Sequence, residues 1–307
     1  MSSADLYGDL RPLAFAIAYR MLGSASEAED VVQETFLRLH QATQRQAPIA
    51  SPRAYVATVA TRLSIDQLRS ARARRERYVG EWLPEPLLTG PTPADEAEAA
   101  ESLSLALLVL LESLSPQQRA AFLLREVFDY PYADVAEIIG TDVDTTRHLV
   151  SRARAHLRDR RPRYHATRQQ RRDLAERFVA AAERGDLPAL EALLTQDVAL
   201  HGDGGGKVPA PARSVHGRHR VAAHLMRALS SAVRHGALRM RVAEVNGRPG
   251  AVVVDAQDRL FAVIGLDIAE GRIQTIRSIV NPDKLRHLDD PSDLGVRIMA
   301  DRRRRDF

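Results

Sequence analysis

Arginine carries most of the chemistry legible in this chain. Between Thr145 and Arg163 stand seven arginines, Arg147, Arg152, Arg154, Arg158, Arg160, Arg161 and Arg163, against one acid, Asp159. A second run, Arg62 to Arg77, holds six arginines against Asp66 and Glu76. A planar guanidinium fits phosphate and guanine edges, so two such runs suit a polyanion gripped at two points. The blander alternative is a pair of solvated helix faces. Asp95, Glu96, Glu98 and Glu101 form an acidic stretch between the runs, and the net charge is only +4. The distribution of charge therefore says more than its sum.

Other chemistries fare worse. The chain has no cysteine, which excludes disulfides, thiolate zinc sites and thiol nucleophiles. His201, His216, Asp203, Asp255 and Asp267 are general-base candidates, but no nucleophile stands beside any of them at a telling spacing. No catalytic residue, metal site or cofactor is expected. The glycines from Gly202 to Gly206 could suggest a phosphate cradle. However, Lys207 is followed by Val208, not by the Ser or Thr of a phosphate-binding loop. A contact loop whose charged ends, Asp203 and Lys207, make and break contacts is the better reading.

The elements that must position these residues fall into three blocks. Ala28, Val31, Val32, Phe36 and Leu39 follow helical spacing, with Glu27, Asp30, Glu34 and Arg38 on another face. Ser24 and Ser26 are candidate N-caps, and Glu34 and Arg38 stand at i,i+4. Gln41 to Ser51 reads as loop, and Pro52 opens a second helix. Pro84, Pro86, Gly90, Pro91 and Pro93 then break the periodicity around the only tryptophan, Trp82. A free tether does not ordinarily carry an indole, so this segment is expected to dock onto something. Helix resumes to about Arg160, with Ser115-Pro116 at one start and Gly140 at a sharp turn. Small Ala136 at a helix crossing, Gly140 four residues on, and Val135, Ile138, Ile139, Val143, Leu149 and Val150 between two helices predict a helix-turn-helix. Its second helix presents Thr145, Arg147, His148, Ser151, Arg152 and Arg154 outward, as a major-groove reader requires. The competing reading is a plain helical hairpin with an arginine-rich face.

The third block reads as helices over 173–184, 187–194 and 221–233. Strands follow over 238–245, 251–255, 260–268 and 273–280, with turns at Asn246-Gly247 and Glu270-Gly271. The fold class is therefore multidomain: two all-α modules and an α+β domain with a curved antiparallel sheet. The boundaries are 1–77, a linker at 78–101, a helix-turn-helix module at 102–163, the α+β domain at 168–290 and a basic tail at 291–307. Solvated disorder is expected for Arg302 to Arg305. No signal peptide or membrane span is legible, so no membrane association and a cytoplasmic location are expected.

Ala28-Glu29-Asp30-Val31-Val32-Gln33-Glu34-Thr35-Phe36-Leu37-Arg38, then Pro52-Arg53-Ala54-Tyr55 and Ile65-Asp66-Gln67-Leu68-Arg69, resemble region two of the extracytoplasmic-function sigma factors. Residues from about Leu103 to Arg158 resemble their region four. The resemblance implies that Asp30, Gln33, Glu34, Phe36 and Arg38 dock on core RNA polymerase. It implies that Arg53, Arg62 and Arg69 hold the −10 element of promoter DNA, and that the helix from Thr145 to Arg154 reads the −35 element. Leu63 and Thr146 depart from the family pattern, which weakens residue-level statements about promoter sequence.

Three further motifs resemble a subgroup with a SnoaL-like, nuclear-transport-factor-two-like extension. These are Trp82-Leu83-Pro84-Glu85-Pro86, Asp203-Gly204-Gly205-Gly206-Lys207 and Asn281-Pro282-Asp283-Lys284-Leu285. The resemblance implies a cone with an apolar pocket, which leaves open a small-molecule ligand. It also implies regulation by the extension in place of a separate anti-sigma factor. The loop and the 281–285 segment are expected to pack against the linker or region two. Competing functions are an isomerase- or cyclase-type enzyme and a ligand-sensing helix-turn-helix repressor.

Overall fold

The computed structural model describes residues 3–45, 49–75, 78–90, 103–158, 167–235 and 238–305. The acidic stretch from Asp95 to Glu101, the arginines at 160, 161 and 163, Pro91 and Pro93, and the side chains of the arginines at 72, 74, 75, 77, 302, 303 and 305 lie outside the described residues. The chain forms two compact units. Met1–Arg77 with Leu107–Arg161 makes one, and Tyr78–Ala106 with Pro162–Phe307 makes the other.

In the first unit, helices α1 (Ser3–Leu22), α2 (Ala25–Gln44) and α3 (Pro52–Arg75) pack together. Ser24 caps α2 by accepting from the Glu27 N–H at 3.1 Å. The helix buries Ala25, Ala28, Val31, Val32, Thr35 and Leu39, the face its periodicity marks. After α4 (Leu105–Leu111) comes α5 (Pro116–Glu126), opened by a reciprocal capping box between Ser115 and Gln118 with a proline in the first turn. Helices α6 (Tyr132–Ile139) and α7 (Val143–Arg158) follow. Gly140, at φ 72° and ψ 44°, ends α6 in the left-handed region. A Cβ costs free energy there, which is why the turn between them is so tight. Val135, Ala136, Ile138, Ile139 and Val150 are buried between the helices.

The second unit is built on a seven-stranded sheet in the order β1-β4-β5-β6-β7-β2-β3. Its strands are β1 (Leu88–Thr89), β2 (Leu194–Asp203), β3 (Val215–His216), β4 (Arg239–Val245), β5 (Arg248–Val254), β6 (Leu260–Ala269) and β7 (Arg272–Ile279). Helices α8 (Arg168–Arg184), α9 (Leu187–Leu193) and α10 (Arg218–His235) share one apolar core with it, centred on Phe178, Leu190, Val221, Ile264 and Ile276. Strands β4 to β7 form an antiparallel meander. Asn246 and Gly247, at φ 51° and 72°, supply the tight hairpin turn between β4 and β5.

Two expectations need correcting, the antiparallel sheet and the disordered tail. The sheet is mixed, because β2 runs parallel to β7. The long path through α10 and the meander supplies the crossover that parallel pairing requires. The segment after Tyr78 adds an edge strand to the sheet, with Leu88 and Thr89 paired to Val245 and Glu244. The tail is a helix, α11 (Leu294–Arg305), with Leu294 and Ile298 buried against Leu238 and Phe261.

Candidate functional site

On α7, Thr145, Arg147, His148, Ser151, Arg152 and Arg154 are all exposed, while Thr146, Val150, Ala153 and Leu157 are buried. Asp142 sets the start of the helix. Its carboxylate accepts from the Thr145 N–H and hydroxyl, both at 2.7 Å, and those bonds hold its pKa below the usual carboxylate value. Thr146, 0% exposed, replaces an apolar contact without leaving a polar orphan. Its hydroxyl donates to the Asp142 carbonyl at 2.9 Å and lies 2.9 Å from that of Thr141. Arg147 pairs with Asp144 at 3.0 Å and Arg154 with Glu126 at 2.7 Å. These exposed pairs are weak and exchangeable.

On α2, Asp30, Gln33 and Arg38 are exposed and Glu34 is half-buried. Glu34 and Arg38 pair at 2.7 Å. Leu37 beside them is 51% exposed. Phe36 is half-covered by Tyr7, with ring centroids 4.5 Å apart. The patch is acidic with an apolar centre, a composition suited to a protein partner rather than to DNA.

On α3, Arg53, Arg62 and Arg69 are exposed, but Arg62 is engaged. Its guanidinium donates to the carbonyls of Ile138 at 2.9 Å and Glu137 at 3.0 Å. These are last-turn acceptors of α6, at the negative end of its dipole. Two further cations tie the first helices to the helix-turn-helix block. Arg20 lies over the Phe128 ring at 5.6 Å, and burial lowers its pKa to about 10. Arg119, 2% exposed, donates to the Met21 carbonyl at 2.6 Å and to Glu112 at 2.9 Å. Burial lowers its pKa to about 9, so it stays charged at neutral pH. Sequence reasoning missed Arg119, although its place one turn before Phe122 and Leu123 put it on an apolar face.

In the second unit the three quoted motifs meet around one carboxylate. Asp203, 0% exposed, accepts from the Tyr78 hydroxyl at 2.5 Å, the Leu83 N–H at 2.8 Å and the Lys284 ammonium at 2.7 Å. Lys284, 6% exposed, also donates to the Leu83 carbonyl. Its ammonium lies 4.1 Å from the centroid of the Trp82 ring, within cation–π range. Asn281 donates to the Tyr78 oxygen at 2.7 Å. Burial first, and Asp203 second, hold the Tyr78 hydroxyl protonated far above its ordinary range.

Pro84, Glu85 and Pro86 are buried. His287 lies 2.8 Å from the Pro86 carbonyl and 3.7 Å from Glu85, and His201 lies 2.5 Å from Glu81. Lys207 pairs with Asp283, which follows Pro282 in the turn after β7. Gly205, at φ +58°, leaves no room for a side chain, since a Cβ would stand 2.3 Å from the Asn281 amide. Gly204 and Gly206 are closed in by the Val208 carbonyl and Val79. Beyond Pro86, Asn246 accepts the Leu87 N–H at 2.9 Å and donates to the Leu103 carbonyl at 3.0 Å. The segment from Tyr78 to Thr89 is thus seated on the sheet by a buried charged network at one end and by backbone pairing at the other. Tyr78 was absent from the sequence reading.

Of the general-base candidates, Asp255 binds Ser292, Arg259 and two backbone N–H groups. Asp267 pairs with Arg277, and His216 lies 2.8 Å from Ser214. These are structural bonds, and none of the five candidates lines the cavity of this domain. Among the described residues no cluster of three or more His, Asp or Glu could hold a metal. No helix among them is long and apolar enough to cross a membrane.

Residues 6–74 match the family model Sigma-70 region 2, and residues 104–157 match Sigma-70, region 4. The ECF RNA polymerase sigma factor SigJ of Mycobacterium tuberculosis is 36% identical over 295 residues, covering 90% of each chain. The probable ECF RNA polymerase sigma factor SigI of the same species is 34% identical over 273 residues, covering 88% of this chain and 90% of that one. The crystal structure of Mycobacterium tuberculosis SigJ aligns with a TM-score of 0.72 at 33% identity, covering 93% of this chain and 98% of that one.

Proposed function

Because this chain belongs to the extracytoplasmic-function RNA polymerase sigma factors, we propose that it is a cytoplasmic promoter-specificity factor restrained in cis by its own C-terminal domain. Sigma factors bind core RNA polymerase and promoter DNA. In this reading Asp30, Gln33, Glu34, Phe36 and Arg38 form the polymerase patch. Thr145, Arg147, His148, Ser151, Arg152 and Arg154 read the −35 element, and Arg53, Arg62 and Arg69 hold the −10 strand. Arg62 must first leave the α6 carbonyls, so the arrangement in which it is bound there is an off-DNA state.

One observation carries the regulatory part: the segment that joins region two to region four is built into the C-terminal domain through Asp203, Lys284 and Tyr78. Its ends lead to Arg77 and Leu107, where the first unit resumes. Region two and region four engage promoter elements separated along DNA, so the length of chain free to pay out between them limits their separation. Seating the linker shortens that free length. A restraint in cis leaves no need for a separate anti-sigma factor. In this reading the extension acts as a binding and restraining module.

In vitro transcription with core polymerase tests this. Tyr78→Phe removes the hydroxyl that bridges Asp203 and Asn281. Loss of the bond to the Asp203 carboxylate alone is worth about 1.5–3 kcal/mol, enough to raise promoter output roughly tenfold or more if the seated linker is the restraint. Unchanged output would refute the restraint. Failure of the wild-type chain and of the variant to associate with core polymerase would refute the polymerase patch.

A further inference from the structure

The C-terminal domain holds a cavity of about 270 Å³ that plays no part in linker binding itself. Its walls are Leu200, Val253, Phe261, Ala262 and Ile264 from the sheet, Val280 just after β7, Leu225 and Leu229 from α10, and Ile298 from α11. Three polar residues interrupt this lining: His224, Ser278 and, at the exposed rim, Arg227. Ser278 and Arg227 can each donate a hydrogen bond to a bound molecule, and no acid accompanies them. Such a lining admits apolar bulk, favours one acceptor group and disfavours a cation. At about 30 Å³ per water, the space equals that of roughly nine waters, or a molecule of about a dozen non-hydrogen atoms.

The remaining wall decides what occupancy does. Gly202 and Val208–Pro211 line the cavity, and they are the two roots of the loop whose intervening residues, Asp203 to Lys207, hold the linker. Val208 is also where α11 closes in, at Gly295. The cavity exists with the linker seated. A ligand that fits it selects that arrangement, because a ligand shifts an equilibrium only by its difference in affinity between the two states.

We infer that this cavity is a regulatory site for a compact, largely apolar molecule bearing one carbonyl or carboxylate group. Its occupancy stiffens the 202–211 loop and strengthens the hold on the linker. The effect on transcription rests on the restraint proposed above; the binding site and its coupling to the loop do not.

The test uses the full chain and two probes transparent where proteins absorb, cyclohexylbutanoate and cyclohexylbutylammonium. The carboxylate is expected to bind with a Kd on the order of 100 μM and the ammonium at least tenfold more weakly. Ala228→Trp fills the mouth from an exposed helical position and should abolish binding. Arg227→Gln, which leaves the apolar walls intact, should weaken the carboxylate several-fold. With the carboxylate bound, hydrogen exchange at the Leu83 and Leu87 amides, which donate to Asp203 and Asn246, should slow three- to tenfold. Tyr78→Phe should in turn weaken the carboxylate, because coupling is reciprocal. No carboxylate binding, equal binding of the ammonium, or binding that survives Ala228→Trp overturns the site. Binding with unchanged exchange at Leu83 overturns the coupling. Neither result touches the restraint, which Tyr78→Phe tests by transcription without ligand.

Discussion

Two sets of contacts in this molecule hold separate segments of the chain together, and they hold them differently. Within the first unit, arginines reach from one helical block to backbone carbonyls or a ring of the other: Arg62 to Glu137 and Ile138, Arg119 to Met21, Arg20 to Phe128. In the second unit a buried carboxylate and a buried ammonium close on each other, with tyrosine, backbone and asparagine completing the network. An exposed cation on a carbonyl, as at Arg62, can trade its partner for water or phosphate at small cost, whereas buried Arg119, also paired with Glu112, cannot. A buried ion pair cannot lose one member without leaving the other charge uncompensated. The first arrangement suits, on the function proposed above, a surface that later faces DNA. The second suits a hold that yields only as a whole.

Removing partners ranks the two. Lys284→Ala strands Asp203 in the interior and should destabilise the second unit by about 3–5 kcal/mol, read from urea unfolding of the full chain. Arg119→Ala should cost about 2–3 kcal/mol, because it abandons the Met21 carbonyl and Glu112. Arg119→Met should recover part of that loss, since it removes a desolvated charge. Gly205→Ala should cost about 1–3 kcal/mol, from a left-handed backbone and a Cβ thrust at Asn281. Arg62→Ala should cost about 1 kcal/mol in thermal unfolding of the first unit. A larger loss from Arg62→Ala than from Lys284→Ala would invert the contrast drawn above. Arg38→Ala, which breaks an exposed pair, should cost about 0.5 kcal/mol or less.

The outward face of α7 was legible because it is local. Caps, a turn glycine and 3.6-residue spacing fix which side chains point outward without reference to the rest of the chain. The docking of the Trp82 segment was legible as a need, from an indole in a proline-rich stretch, and the Gly-rich loop and the 281–285 turn were expected to pack against it or against region two. The buried charge at the centre was not, because nothing in the string shows that Asp203 and Lys284 meet. The parallel pairing of β2 with β7 escaped for the same reason. Alternation reveals a strand but not the direction of a neighbour far along the chain. Tyr78 and Arg62 mark a subtler limit. The first sits at the edge of a basic run and the second within it, so their charge setting concealed an intramolecular job.

The chain contains a single tryptophan, and it sits under the Lys284 ammonium. Its emission is therefore an unlabelled optical gauge of the linker in the free factor, responsive to whatever lifts that segment from the sheet. Stopped-flow fluorescence on the untagged polypeptide would time the release directly, with no dye attached to perturb the surface being watched.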